Sequence, residues 1–279
     1  MNELRNILEE SKNIQLSAAS QFLRRRVLDV LEVAGRGHLG PALSIIDIID
    51  CLYGLVMKYE YSNPSFEKRD RFILSKGHGC LGLYVVLEKY GILGNLNVES
   101  FCAFDSFFGG HPEKGVIPGI EFSTGSLGHG LPFAVGLSMG ARIKDQNFRT
   151  YVLVGDGELN EGSNWEALAH ASKHNLGNLC LIVDFNQMQA SGNSETVLNM
   201  APYSQKFESF GFETNVVNGH NLDSLQKTLD FKSNYYGKPR AIIACTLKGK
   251  GIKVAEASTI WHHKAKISSK EIAELRESC

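Results

Sequence analysis

Two short apolar runs, Tyr151–Val154 and Leu179–Phe185, are each cut off by a polar turn: Gly155-Asp156-Gly157 after the first and Asn186 after the second. An amphipathic stretch separates them. Apolar runs of this kind, bounded by turn residues and alternating with a helical pattern, read as parallel strands joined by a crossover helix. Such crossovers are right-handed, so both strands end on the same edge of the sheet. The carboxylate of Asp156 and the amide oxygen of Asn186 can then meet. Hard oxygen ligands suit Mg2+ or Ca2+, and Mg2+ usually takes its remaining ligands from water and phosphate. Gly155 and Gly157 admit a bulky anion close to the backbone, and a helix beginning near Leu159 turns free N–H groups toward it. The two turns predict a metal-bridged diphosphate pocket.

The same alternation runs along the rest of the chain. Residues 3–34 carry a helical stripe that includes Leu16, Ala19, Phe22, Leu23 and Val27. After the glycine-broken segment 35–40, Ser44 is expected to cap an apolar helix from Ile45 to about Tyr59. Arg71–Ser75 reads as a strand, followed by Gly77-His78-Gly79 and a helix to about Tyr90. A glycine-laden loop over 104–128 leads into a small-residue helix from Gly130 to about Lys144. Beyond Asn186, helices are predicted over 204–211 and 221–231, strands over 214–217 and 240–245, and a polar helix from about Ser269. This pattern predicts an α/β fold with a mainly parallel sheet flanked by helices on both faces. No linker, low-complexity tract or repeat interrupts it, so residues 1–279 read as a single domain.

Bulk properties narrow the function. At 279 residues and 43% hydrophobic, the chain can bury a large core, and a net charge of −1 provides no basic face for nucleic acid. Arg24-Arg25-Arg26 falls in a helical pattern and reads as a solvated face or helix-end contact. No segment is expected to span a bilayer, which takes roughly 18 apolar residues, and the start Met1–Arg5 carries no secretory signal. Cys51, Cys80, Cys102, Cys180, Cys245 and Cys279 form no Cys-x-x-Cys pair. That points to reduced thiols in a cytoplasm and away from structural zinc or disulfides.

Glycine–histidine pairs recur in the loops: Gly37-His38, Gly77-His78-Gly79, Gly110-His111 and Gly128-His129-Gly130, with Trp261-His262-His263 near the end. One such histidine is more often structural than catalytic. Four loops and a terminal pair point to a site, because imidazoles bond phosphate oxygens or sugar hydroxyls and move protons near neutral pH. Their spacing does not match zinc patterns. A dinucleotide fingerprint fails at Asn160, Lys248-Gly249-Lys250-Gly251 supplies no phosphate-cradling loop, and no Gly-x-Ser-x-Gly elbow occurs.

These residues together resemble the thiamine diphosphate enzymes and, within them, the transketolases. Gly155-Asp156-Gly157 followed by Asn186 resembles the superfamily's cofactor motif. The segments Arg69–Gly79, Gly110-His111-Pro112-Glu113, Thr124–Gly130 and Gly155–Glu166 are similar to the family's own wording. The resemblance covers about residues 15–265 but only the first, diphosphate-binding domain of a complete transketolase. It implies an N-terminal subunit whose pyrimidine-binding domain is carried by a separate C-terminal polypeptide, in an α2β2 assembly inactive without that partner. It also implies transfer of a two-carbon ketol unit from a ketose to an aldose, commonly as sugar phosphates. By resemblance, Asp156, Asn186 and the carbonyl of Met188 hold Mg2+ or Ca2+. His78, Gly125, Leu127, Gly155, Gly157 and Glu158 lie on the thiamine diphosphate, with the Gly157 N–H and His78 toward its diphosphate. His38, His111 and His263 surround the substrate's reacting carbonyl and hydroxyls, with His262 their neighbour. Glu161 and Glu166 face the partner and couple the two active sites; without the resemblance they read as a solvated helix face.

Departures bear on the substrate. Leu39 follows His38 where Pro is usual, Ser126 and His129 replace a Pro and a Gln, and Lys264 stands after His263 where Gly is common. A basic side chain at Lys264 offers a contact for an additional anionic group. The alternatives are a subunit of another thiamine-dependent carboligase or 2-keto acid decarboxylase, or a non-catalytic cofactor-binding subunit.

Overall fold

The structure, a computed structural model, describes residues 2–232 and 236–279, without the side chains of Asn2 and Glu3. Met1 and residues 233–235, which belong to the expected 1–279 domain, lie outside the described residues.

Four helical segments open the chain: α1 (Asn2–Asn13), α2 (Ala18–Ala34), α3 (Leu39–Leu43) and α4 (Ile46–Cys51), the last running into a π turn over Leu52–Val56. Strand β1 (Arg71–Leu74), α5 (Cys80–Lys89), α6 (Gly130–Ile143), β2 (Thr150–Gly155), α7 (Gly162–Lys173) and β3 (Leu179–Phe185) follow. A small hairpin, β4 (Met188–Gln189) and β5 (Gly192–Asn193), leads to α8 (Ser194–Leu198) and α9 (Tyr203–Ser209). The chain continues through β6 (Glu213–Asn218), α10 (Leu222–Leu229), β7 (Arg240–Cys245) and α11 (Ser269–Glu277).

Five strands form one sheet in the order β1-β2-β3-β7-β6, every pairing parallel. Both faces are buried, as a parallel sheet requires. Tyr151, Leu153, Cys180, Ile182 and Ile242 pack with α2, α4, α5 and α10 on one face, while Val152, Val154, Leu181, Val183 and Ile243 pack with α6, α7 and α9 on the other. The period-two alternation that a strand imposes therefore divides the apolar runs between two cores. The predicted fold class is the observed one.

Several local expectations differ from the structure. The stripe over 3–34 is two helices, because the Ser17 hydroxyl takes the Ser20 N–H (3.1 Å) and starts α2 afresh. Ser44 caps no helix: its hydroxyl donates to the buried Asp184 carboxylate at 2.8 Å. The hairpin β4–β5 and α8 have no counterpart in the sequence pattern. Leu39–Val56 does reach the length and hydropathy of a membrane span (mean hydropathy 1.7 over 18 residues), yet 89% of it is buried inside the fold. Its apolar character serves the core between α2, α5 and the sheet.

The arginine cluster is not a uniformly solvated face. Arg25 is exposed and Arg26 pairs with Glu88, but Arg24 is completely buried. Its guanidinium reaches Asp47 (2.8 Å) and the Lys250 carbonyl (2.7 Å). His220 lies on the same carboxylate at 2.7 Å through Nδ1, and its Nε2 accepts the Leu247 N–H at 2.9 Å. An Nε2 that accepts is unprotonated, so His220 is the neutral Nδ1–H tautomer, in keeping with burial lowering its pKa. Burial alone would raise the Asp47 carboxyl, but the Arg24 charge and the His220 hydrogen bond outweigh it and hold it well below the carboxylate range. Arg24→Ala should cost about 3–5 kcal/mol in denaturant unfolding by stranding a buried charge, whereas the exposed-pair variant Lys12→Ala should stay within about 1 kcal/mol. A depressed carboxylate stabilises above its unfolded pKa of about 4 and loses that stabilisation below it. The stability gap between the unaltered protein and Asp47→Asn should accordingly be full at pH 7 and shrink as pH falls below about 4.

Candidate functional site

Four strand ends meet on one edge of the sheet and carry the site. β1 runs into Ser75, Lys76 and His78; β2 into Asp156, Gly157 and Glu158; β3 ends beside Asn186; β7 leads to Thr246 and Lys248. The register pairs Gly155 with Asp184, so Asp156 and Asn186 emerge from adjacent strands. Between them lies a cavity of about 280 Å3. His38, His78, Gly125, Leu127, Gly155, Asp156, Gly157, Glu158, Asn186 and Met188, all singled out in the sequence, line it. His111 and His263 stand outside its wall but against His38, with ring centroids at 5.9 and 4.5 Å. Glu161 and Glu166 are exposed at the start of α7 and do not reach the cavity.

Asp184 organises the floor. Its fully buried carboxylate is ion-paired to Lys76 and takes hydrogen bonds from Thr246 Oγ1, Ser44 Oγ (2.8 Å) and Asn186 Nδ2 (2.8 Å). Burial would raise its pKa, but the Lys76 charge and these donors hold it down. A carboxylate only accepts, so the Asn186 amide must turn its nitrogen inward and its oxygen away from Asp184. That oxygen accepts the Met188 N–H at 3.0 Å. Gln187, at φ 62°, turns the chain back to make this contact.

Asp156 is the opposite case. Its carboxylate is 2% exposed and holds only the Gly157 N–H (2.8 Å) and the Ser194 hydroxyl (3.2 Å). Among the described residues no cationic side chain pairs with it. Burial, then the Asp184 charge, pushes its pKa up to about 7. A buried carboxylate beside an oriented amide oxygen and the Met188 carbonyl is a hard-oxygen set that fits a divalent cation. Lys248 Nζ rests on that carbonyl at 3.2 Å, leaving its second lone pair. The cavity also fits a bulky anion. A Cβ built on Gly155 meets nothing closer than 4.0 Å, and the buried Gln189 Nε2, in the cavity wall, has no hydrogen-bond partner.

Two sequence expectations do not hold. The chain after Asp156 forms a 3-10 turn over Gly157–Asn160, with α7 starting only at Gly162. The Gly157 N–H donates to Asp156 Oδ1, so it is not free to meet an anion. Glu158 lines the cavity but spends its carboxylate on the protein, accepting from Ser75 Oγ, Gly128 N–H (2.9 Å) and Gly155 N–H (3.2 Å). It stitches three loops together.

The histidines form a connected group around His38, whose ring centroid lies 5.7 Å from His78 and 6.0 Å from His262. His78 and His262 stack at 5.4 Å, and His262 Nδ1 is 2.7 Å from Lys248 Nζ. Burial, then the neighbouring His263, lowers His38 to about 4; burial, then Lys248, lowers His262 to about 3; burial takes His78 well below its usual value. All three are neutral at physiological pH and able to accept a proton. The sequence places His263 at the site with His262 as its neighbour; the structure puts His262 in the cavity wall. It also adds Lys76, Gln189 and Lys248, the last pulled down to about 8 by burial and then by Lys76. The findable signal for Lys248 was its place just past β7, on the edge where β2 and β3 end. His129 is exposed and lies outside the wall. Lys264 is not available to an anion: Glu271 holds it at 2.8 Å.

This arrangement agrees with the known proteins the chain resembles. The family described as transketolase, thiamine diphosphate binding domain, matches residues 16–279. One of the two kinds of subunit of the apulose-4-phosphate transketolase of Actinobacillus succinogenes is 40% identical over 253 residues, covering 90% of this chain and 91% of the relative. A 6-deoxy-6-sulfo-D-fructose transketolase subunit of a Clostridium species is 31% identical, covering 90% and 92%. The crystal structure of transketolase from Campylobacter jejuni superposes with a TM-score of 0.81 at 31% identity, covering 98% of this chain and 42% of that one. The chain spans less than half of such one-piece transketolases but nearly all of the two subunits. It belongs to the transketolase family, as a thiamine diphosphate-binding N-terminal subunit of a ketol-transferring enzyme.

Proposed function

We propose that this chain holds the diphosphate and metal of a two-subunit transketolase, and moves a two-carbon ketol unit from a ketose to an aldose once a C-terminal subunit with the pyrimidine-binding domain is docked on it. The observation that carries the reading is the buried, cation-free Asp156 carboxylate beside the oriented oxygen of Asn186, overhung by three neutral imidazoles. Mg2+ would be held by Asp156, the Asn186 oxygen and the Met188 carbonyl, where it supplies the charge that binds a diphosphate. Bound thiamine diphosphate supplies the nucleophilic carbon and electron sink for C–C cleavage. The chain's own residues do the rest. His38 and His262 accept and return substrate hydroxyl protons, His78 donates to the diphosphate, and Lys248 places a positive charge beside His262.

The named substrates of the two subunit relatives, apulose 4-phosphate and 6-deoxy-6-sulfo-D-fructose, are sugars with an anionic end, and a sugar of that class is proposed here. Glu161 and Glu166, exposed beside the Gly128 loop, are assigned to the partner interface and to coupling between two sites in an α2β2 assembly. Six free cysteines fit a reducing cytoplasm.

Two experiments test the reading. The chain and its partner, each inactive alone, should together convert xylulose 5-phosphate and an aldose phosphate but not pyruvate; decarboxylation of pyruvate would select the keto-acid alternative. Titration calorimetry of the pair should show thiamine diphosphate uptake only with Mg2+, and Asp156→Ala should weaken it at least about 100-fold, about 2.7 kcal/mol, as the buried ligand is lost. Undiminished uptake by that variant refutes the metal assignment.

A further inference from the structure

Gly37 and Lys264 exchange both backbone hydrogen bonds, Gly37 N–H to Lys264 O and Lys264 N–H to Gly37 O, each 2.9 Å, in an isolated antiparallel bridge. In antiparallel pairing the next residues along, His38 and His263, stand directly opposite on one face. Their ring centroids are 4.5 Å apart. The bridge is anchored on both sides, by Gly40 N–H to the Trp261 carbonyl at 2.8 Å and by Ile267 N–H to the Gly35 carbonyl at 2.7 Å. His263 is thus held beside His38 by backbone rather than by chance contact of long side chains.

The five imidazoles fall into two tiers about His38. The inner pair, His78 and His262, lines the cavity and is tied to Lys248. The outer pair, His111 and His263, is exposed. His111 sits over Gly125, where a Cβ would come within 3.1 Å of the ring and where φ is 150°. Neither outer histidine hydrogen-bonds to any described residue, although both are aligned by backbone that cannot easily move. Lys264, the other polar side chain of this segment, is occupied by Glu271 and lies over the Trp261 ring.

Building on the proposed ketol transfer, we infer that His263 is a specificity-determining residue: with His111 and His38 it forms an outer rim that binds the hydroxyl-bearing chain of the sugar beyond the carbons that react. An imidazole that is neutral offers one donor and one acceptor, which complements a sugar hydroxyl in the same way. The burial-driven lowering of His38 and His111 favours that neutral form. Ketol transfer is its own reverse, so the departing ketose tail and the incoming aldose occupy one subsite, and His263 should read both.

The test uses the reconstituted two-subunit enzyme carrying His263→Ala or His263→Asn. Donors are a ketose phosphate and hydroxypyruvate, whose ketol unit bears no sugar tail; an aldose phosphate is the acceptor. For His263→Ala, KM for the ketose and for the aldose should each rise about 3- to 10-fold, the worth of one hydrogen bond. The kcat values and the KM for hydroxypyruvate should move far less. His263→Asn, which keeps a donor and an acceptor, should recover part of the loss. Unchanged KM values for both sugars overturn the inference, and so does an equal rise for hydroxypyruvate, which would place His263 at the reacting carbons or in loop support alone. Absence of ketol transfer by the unaltered pair overturns the functional reading, and this inference with it.

Discussion

The ion pair between Lys76 and Asp184 sits where the ends of β1 and β3 converge, fully inside the protein. A charge removed from water survives only if its partner and its remaining lone pairs are satisfied. Here Ser44, Thr246 and Asn186 complete the set, drawing in the α3–α4 junction, the end of β7 and the metal turn. One buried carboxylate thereby fixes the relative positions of segments far apart in the chain and orients the amide that the site presents. Removing its counter-charge would leave Asn186 free to flip, so stability and site geometry rest on the same bonds.

Glu158 performs a similar task on the other wall. Its oxygens gather Ser75, Gly128 and Gly155. Between these two internally satisfied acids lies Asp156, which has no such compensation. The contrast in environment separates their roles: one paired with lysine, one saturated by backbone and hydroxyl donors, one left with a raised pKa that a cation would reverse. Proximity alone would have made the three acids look interchangeable.

Much of the fold was legible because parallel strands buried on both faces leave a strong mark. Tyr151–Val154, Leu179–Phe185 and 240–245 are apolar at nearly every position, and their order with helices leaves few topologies. What misled was local. Ser44 looked like a cap and Arg24 like a solvated charge, because their partners, Asp184 and Asp47, lie 140 and 23 positions away in the chain. The hairpin after Asn186 left no periodic signal, since each of its strands has only two residues.

The sequence by itself determined the fold class, the sheet edge on which the chemistry gathers, and the pairing of Asp156 with Asn186, because these follow from strand periodicity and crossover handedness, which are local or nearly so. Tertiary structure alone decided which histidine enters the cavity and which stays on its rim. That choice depends on the register between Gly37 and Lys264, set by backbone hydrogen bonds between the two ends of the chain. It also decided that Lys248 joins the site, that Lys264 is occupied, and that Asp156 rather than Asp184 or Glu158 lacks a counter-charge. Each is a matter of what a side chain meets after folding, and burial and electrostatics act only between groups that the fold has already brought together.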